Sequence, residues 1–228
     1  MTAHLTMRIP PVKLADLEKV GAPPPVRNVV ECTDGSGTLQ AVAYMERELP
    51  PGGVPAYLAA RKTGARSFVL WADEHRGSRV ATLVTHSAHN GVATYQVLGA
   101  HGEIIGTLVR EKAFKGRGIR TRWTVEQPGS PIAVGYQGRI FWWLVCWLLS
   151  PLLPFFFLGA LFENSGLPRA PRRIRWRVGG RLRLDFRPFG DRLQLCEPEL
   201  DRRLAAALLA LLRSFDGWFG APWDGREK

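Results

Sequence analysis

Residues 141–162 read FWWLVCWLLSPLLPFFFLGALF, twenty-two residues without a charge, and no other stretch limits the fold as strongly. A run of about 18 or more apolar residues has the signature of a bilayer-spanning helix. Pro151 and Pro154 fall at its middle. Proline inside a helix removes a backbone donor and clashes with the preceding turn, at a cost of about 3 kcal/mol. The run therefore reads as two arms joined by a bend, and arms of roughly ten residues are too short to cross a hydrocarbon core of about 30 Å. Trp142, Trp143 and Trp147 lie at its leading end, and Phe155, Phe156 and Phe157 follow the bend. Tryptophan favours the membrane interface, where its ring is apolar and its N–H is wet. Arg139 precedes the run, and Arg169, Arg172, Arg173, Arg175 and Arg177 follow it. Basic flanks prefer the cytoplasmic side, so both ends favour the same side. The run reads as a re-entrant hairpin, with a single span as the alternative.

The charge of the chain is concentrated around this run. Net charge is +11 and the sequence pI is about 10.3, which points to a polyanionic partner, either an anionic membrane surface or nucleic acid. Arg110 to Arg122 holds six basic residues and one acid, and Arg169 to Arg187 holds eight and one. These two segments bracket the apolar run and account for the whole positive excess. Cys32, Cys146 and Cys196 have no close spacing, so neither a zinc site nor a disulfide framework is indicated. The first twenty residues have no apolar core of signal-peptide length. The expectation is a membrane protein whose main domain is cytoplasmic.

Along the chain, Ile9-Pro10-Pro11 and Pro23-Pro24-Pro25 mark residues 1–25 as a poorly ordered arm. Val26–Cys32 and Leu39–Met45 flank a Gly-containing turn and read as a hairpin, and Pro50–Pro55 reads as a loop. Beyond Arg66 a pattern recurs: an aromatic-led strand, a glycine turn and a second strand. Its leading aromatics Phe68, Tyr95 and Trp123 are 27 and 28 residues apart, and Trp176 follows at 53. The excess at the last interval is about the length of the apolar run, so the run reads as an insertion over 140–166 in a connection between two units. Arg173, Arg175 and Arg177 alternate with Ile174, Trp176 and Val178, and Arg181, Arg183 and Asp185 alternate with Leu182, Leu184 and Phe186. Period-2 patterning gives one wet face and one packed face. Short strands with glycine turns predict a mainly β fold, an antiparallel barrel or sandwich over 26–217, with a tail at 218–228.

Pro198-Glu199-Leu200-Asp201 opens a helix, and Leu204 to Leu212 is then apolar throughout. A helix apolar on all sides must be buried all round, and nine residues span only about 13.5 Å, too short for a membrane. A helix threaded through a closed barrel satisfies both. Tyr95-Gln96-Val97 followed by Gly102-Glu103-Ile104-Ile105-Gly106, then Trp123-Thr124-Val125 with Gly129, and the helix from Leu200 to Leu209 together resemble the tubby C-terminal-like superfamily, in particular the phospholipid scramblase and LURP-one-related families. The likeness covers about residues 60–217. It implies a β-barrel of hairpin repeats closed around a buried C-terminal helix, with basic surface residues that bind phosphoinositide or other anionic lipid in some members. The apolar run departs from that pattern by lying mid-chain rather than after the barrel helix. No acidic cluster resembles a calcium loop.

No catalytic constellation accompanies this pattern. His86 and His89 form HSAH with no further ligands at metal spacing, and read as a polar turn. No G-x-S-x-G elbow occurs, and Gly116-Arg117-Gly118 lacks the strand–loop–helix context of a phosphate loop. No cofactor, metal or small-molecule substrate is indicated. The reading is a non-enzymatic module that binds anionic phospholipid or phosphoinositide. Arg169, Arg172, Arg173, Arg175 and Arg177 would meet headgroups, and Trp142, Trp143, Trp147, Pro151, Pro154, Phe155, Phe156 and Phe157 would insert. Lipid scrambling is an alternative that the resemblance alone raises. A nucleic-acid-binding barrel stacking bases on Trp123 and Trp176 is a weaker one, because the apolar run has no use there.

Overall fold

A computed structural model of the protein describes residues 3–9, 24–33, 37–114, 118–137, 173–187, 190–197, 199–215 and 222–225. Twelve antiparallel strands close a barrel: β1 (Ala3–Arg8), β2 (Asn28–Thr33), β3 (Leu39–Arg47), β4 (Ser67–Trp71), β5 (Arg79–His89), β6 (Val92–Gly99), β7 (Ile104–Glu111), β8 (Arg122–Glu126), β9 (Ala133–Gln137), β10 (Ile174–Val178), β11 (Arg181–Arg187) and β12 (Arg192–Leu195). Each strand pairs with its neighbours in sequence, and β1 pairs with β12 to complete the ring. Closure leaves no unpaired edge. Among the described residues two helices accompany the barrel, α1 (Gly53–Thr63) and α2 (Arg202–Ser214). The strands expected at Val26–Cys32, Leu39–Met45, Phe68–Leu70, Tyr95–Val97, Trp123–Val125 and Trp176–Val178 fall on β2, β3, β4, β6, β8 and β10.

Three local expectations are corrected, and one further strand is added. Ala3–Arg8, expected within a poorly ordered arm, is β1; Leu5 and Met7 point inward, and the segment is fixed by ladders to β12 and β2 on its two sides. Pro50–Pro55, expected as a loop, contains the start of α1, which opens at Gly53 after Gly52 in the left-handed region. Proline is tolerated in a first helical turn, where its missing N–H has no partner to lose. His86 and His89 belong to β5, and the turn lies instead at Asn90-Gly91, with φ of 49° and 79°, the pattern of a two-residue primed turn. Arg192–Leu195, given no role by the sequence reading, is the strand that meets β1.

Antiparallel alternation sorts the connections onto two rims. At one rim lie the strand ends joined by the short links 34–38, 72–78, 100–103, 127–132 and 179–180. At the other lie the strand ends joined by 9–27, 48–66, 90–91, 112–121, 138–173 and 188–191, which include every long link. Buried residues of the strands and of α2 form one hydrophobic cluster. Leu204 to Leu211 are 0% exposed, and α2 packs against β1, β3, β4, β5 and β7. Asp201 caps the helix by accepting from the Arg203 amide at 2.8 Å. Its own amide donates to Gln127 at 3.0 Å, at the short-link rim. The Ser214 carbonyl at the other end accepts from Arg61 at 3.0 Å, at the long-link rim. α2 therefore runs from one rim to the other.

Candidate lipid-facing surface

The apolar run belongs to the connection between β9 and β10. These strands are paired neighbours, with Gln137 opposite Ile174, so the connection over 138–173 leaves and re-enters the barrel at one point of the long-link rim. Trp142, Trp143, Trp147, Pro151, Pro154, Phe155, Phe156, Phe157, Arg169 and Arg172 lie outside the described residues. Among the described residues no helix is long and apolar enough to cross a membrane, a statement that does not bear on strands.

The next link on the same rim, between β7 and β8, holds Lys112, Lys115, Arg117 and Arg120. Phe114 is 76% exposed and Ile119 60% exposed on this link. The Phe114 amide donates to the Gly118 carbonyl at 3.0 Å, and Phe114 itself sits at φ 62°. The left-handed region is costly for a bulky residue. Phe114 is thus a solvent-exposed aromatic side chain held in that region. Sequence reasoning missed Phe114. Its signal was an aromatic set inside the basic stretch Lys112–Arg122.

The outer face beside this rim is basic. Ladder register aligns Arg122, Tyr136, Arg175, Asp185 and Gln194 in one row across β8 to β12. Asp185 is 1% exposed and is the hub. Arg173 grips it with two hydrogen bonds, Nε to Oδ1 at 2.8 Å and Nη2 to Oδ2. Arg187 Nε is 3.3 Å and Arg175 Nε 3.8 Å from the same carboxylate. Burial alone would raise the Asp185 pKa, but the hydrogen bond and charge of Arg173, with Arg187 and Arg175, outweigh it and hold the carboxyl below its usual value. Three guanidiniums around one carboxylate leave the patch positive. Arg120 lies 4.8 Å over the Tyr136 ring, and Arg122 pairs with Glu111 at 3.1 Å.

The five arginines expected to meet headgroups are thus not equivalent. Arg173 and Arg175 share Asp185, whereas Arg177 is exposed toward the short-link end of β10. Arg183, expected on the wet face, is 2% exposed; its Nη1 donates to the Pro131 carbonyl at 2.7 Å and its Nε lies 2.9 Å from Glu197. Its role is to tie β11 to the adjoining links. Trp123 and Trp176 face the core at 2% and 0% exposure, so neither offers a ring for base stacking. Among the described residues no three of His, Cys, Asp and Glu are grouped to hold a metal ion. No protein-family model, curated protein or solved structure matches the chain.

Proposed function

We propose that this chain is a non-enzymatic, membrane-associated barrel that binds anionic phospholipid or phosphoinositide. In this reading the long-link rim faces the bilayer. Residues 141–162 insert as a re-entrant hairpin, and α2 fills the barrel in the manner of the tubby-like superfamily. Arg169, Arg172 and Arg173 meet headgroups at the foot of the hairpin, and the barrel stays on the cytoplasmic side.

One observation carries the reading: the connection that holds the apolar run starts and ends at paired residues of adjacent strands, beside a basic link that exposes Phe114 and Ile119. Grease and cations on the same rim fit a lipid surface better than any soluble polyanion. Each basic residue near an anionic leaflet contributes about 1 kcal/mol, and the effect fades within a Debye length. Binding should therefore be strong at low salt and selective for anionic lipid. The nucleic-acid reading loses its stacking platform with the burial of Trp123 and Trp176.

Vesicle sedimentation tests the proposal. The purified chain should co-sediment more with vesicles containing phosphatidic acid than with pure phosphatidylcholine, and added salt should narrow that difference. Changing Arg169, Arg172 and Arg173 together to Ala should weaken the anionic preference. Indifference of the full chain to lipid charge would defeat the headgroup role.

A further inference from the structure

The last turn of α2 ends between two arginines of opposite circumstance. Arg66 is 5% exposed and fully engaged: its Nε donates to Ser214 Oγ at 3.1 Å, and its Nη1 to the carbonyls of Ala65 at 2.7 Å and Arg61 at 3.1 Å. Its charge is met by Asp224, 3.3 Å away. Asp224 also accepts from Tyr57 and from Arg61, each at 2.9 Å. Arg110, on β7, has nothing comparable. Its guanidinium lies 4.0 Å from the centre of the Phe215 ring, the same ring that Arg66 approaches at 4.2 Å, and 5.7 Å from that of Trp123. The Arg110 Nε is buried and has no hydrogen-bond partner among the described residues. Its strand neighbour Glu111 pairs with Arg122 instead.

Such an arrangement is costly to keep for structure alone. Burial pushes the Arg110 pKa down, Tyr95 pulls it up, and the Arg66 charge pushes it down again. A guanidinium stays charged regardless, and it presents five donors in a planar fork. Forks of this kind bind the oxygens of phosphate and carboxylate in pairs, and desolvated aromatic walls strengthen the contact. The site lies at the rim that the lipid reading turns toward headgroups, where phosphate is the abundant oxyanion.

We propose that Arg110, set against Phe215 and beside Arg66 at the long-link mouth of the barrel, binds a phosphate oxyanion carried by a phospholipid headgroup or by a free phosphate monoester. The headgroup source rests on the lipid reading above; the site does not.

Two titrations of the full-length chain separate these sources, each comparing wild type, Arg110→Gln and Arg202→Gln. Arg202 is an exposed control at the opposite rim, with the same change in charge. In the first, inorganic phosphate is added at constant ionic strength and tryptophan fluorescence is followed. The Arg110→Gln change should weaken saturable binding about tenfold, the scale of one charge-assisted hydrogen bond, and Arg202→Gln should leave it unchanged. In the second, phosphatidylcholine vesicles with and without phosphatidic acid replace phosphate. A tenfold or so loss of partition on Arg110→Gln assigns the headgroup. Loss in the phosphate arm alone assigns a free monoester, and if wild type ignores anionic vesicles the lipid reading fails while the site stands. Should Arg110→Gln melt below wild type, Arg110→Lys keeps the charge but not the fork, and should still bind phosphate more weakly. Equal phosphate affinity in wild type and both Arg110 variants, or no saturable phosphate binding by wild type, overturns the proposal.

Discussion

At the scale of single residues, Asp185 makes the basic face possible. Three guanidiniums converge on one buried carboxylate, and removing its charge leaves them to repel one another. Asp185→Asn should cost about 2 kcal/mol at neutral pH, within the range for a hydrogen bond to a charged group, as read by urea unfolding. The pH dependence has a defined sign. A carboxyl held below its usual value stabilises the fold above its unfolded pKa, near the ordinary aspartate value of 3.8, and that contribution is lost as pH falls through the lower folded value. Wild type should therefore lose stability below about pH 4, and Asp185→Asn should show a flatter acid limb in the same urea series. The alternation in Arg181–Phe186 gave the outward direction of Arg183 and Asp185 but not their burial. Period 2 encodes which face a side chain takes, while burial on the outer face depends on Arg173, Pro131 and Glu197, which arrive from other strands and links.

At the scale of elements, the fit between α2 and the barrel wall is set by a small residue. A Cβ at Gly106 would sit 2.7 Å from the Glu126 carbonyl oxygen and 2.7 Å and 2.9 Å from the two methyls of Leu204. The backbone oxygen cannot step aside cheaply, so Gly106→Ala should cost about 1–3 kcal/mol, as overpacked cores do. Gly118, where an added Cβ meets nothing, should tolerate the same change within about 0.5 kcal/mol. A pair of thermal melts decides it, and equal melting temperatures would refute the close approach. α2 was legible from its unbroken apolar stretch and its Asp201 cap. α1 was not, because Pro50–Pro55 carries loop residues in common with a helix start, and the helix buries only Tyr57. The Asn90-Gly91 turn was a readable hairpin signal that the neighbouring polar residues of HSAH obscured.

For the molecule as a whole, strand pairing constrains topology. Ser130 and Arg181 both lie at the short-link rim, in or beside the links 127–132 and 179–180. In reconstituted membranes, cysteines placed at these two positions, in a chain stripped of its native cysteines, should react with an impermeant reagent from the same side. Labelling from opposite sides would refute the re-entrant hairpin. Deleting 141–162 should leave a folded barrel with the wild-type far-UV spectrum, because Gln137 and Ile174 are already neighbours and a short link can join them. The β texture, the apolar run over Leu204–Leu212 and the bracketing of a charge-free run by basic segments were legible along the chain. All of these are properties of residues near one another in the chain. That Ala3–Arg8 closes the ring, that Arg173 and Arg175 share Asp185, and that Arg110 has no carboxylate partner among the described residues emerged with the folded arrangement. Those outcomes turn on which distant segments lie side by side, and the free energy of a ladder or an ion pair is created only when its two halves meet.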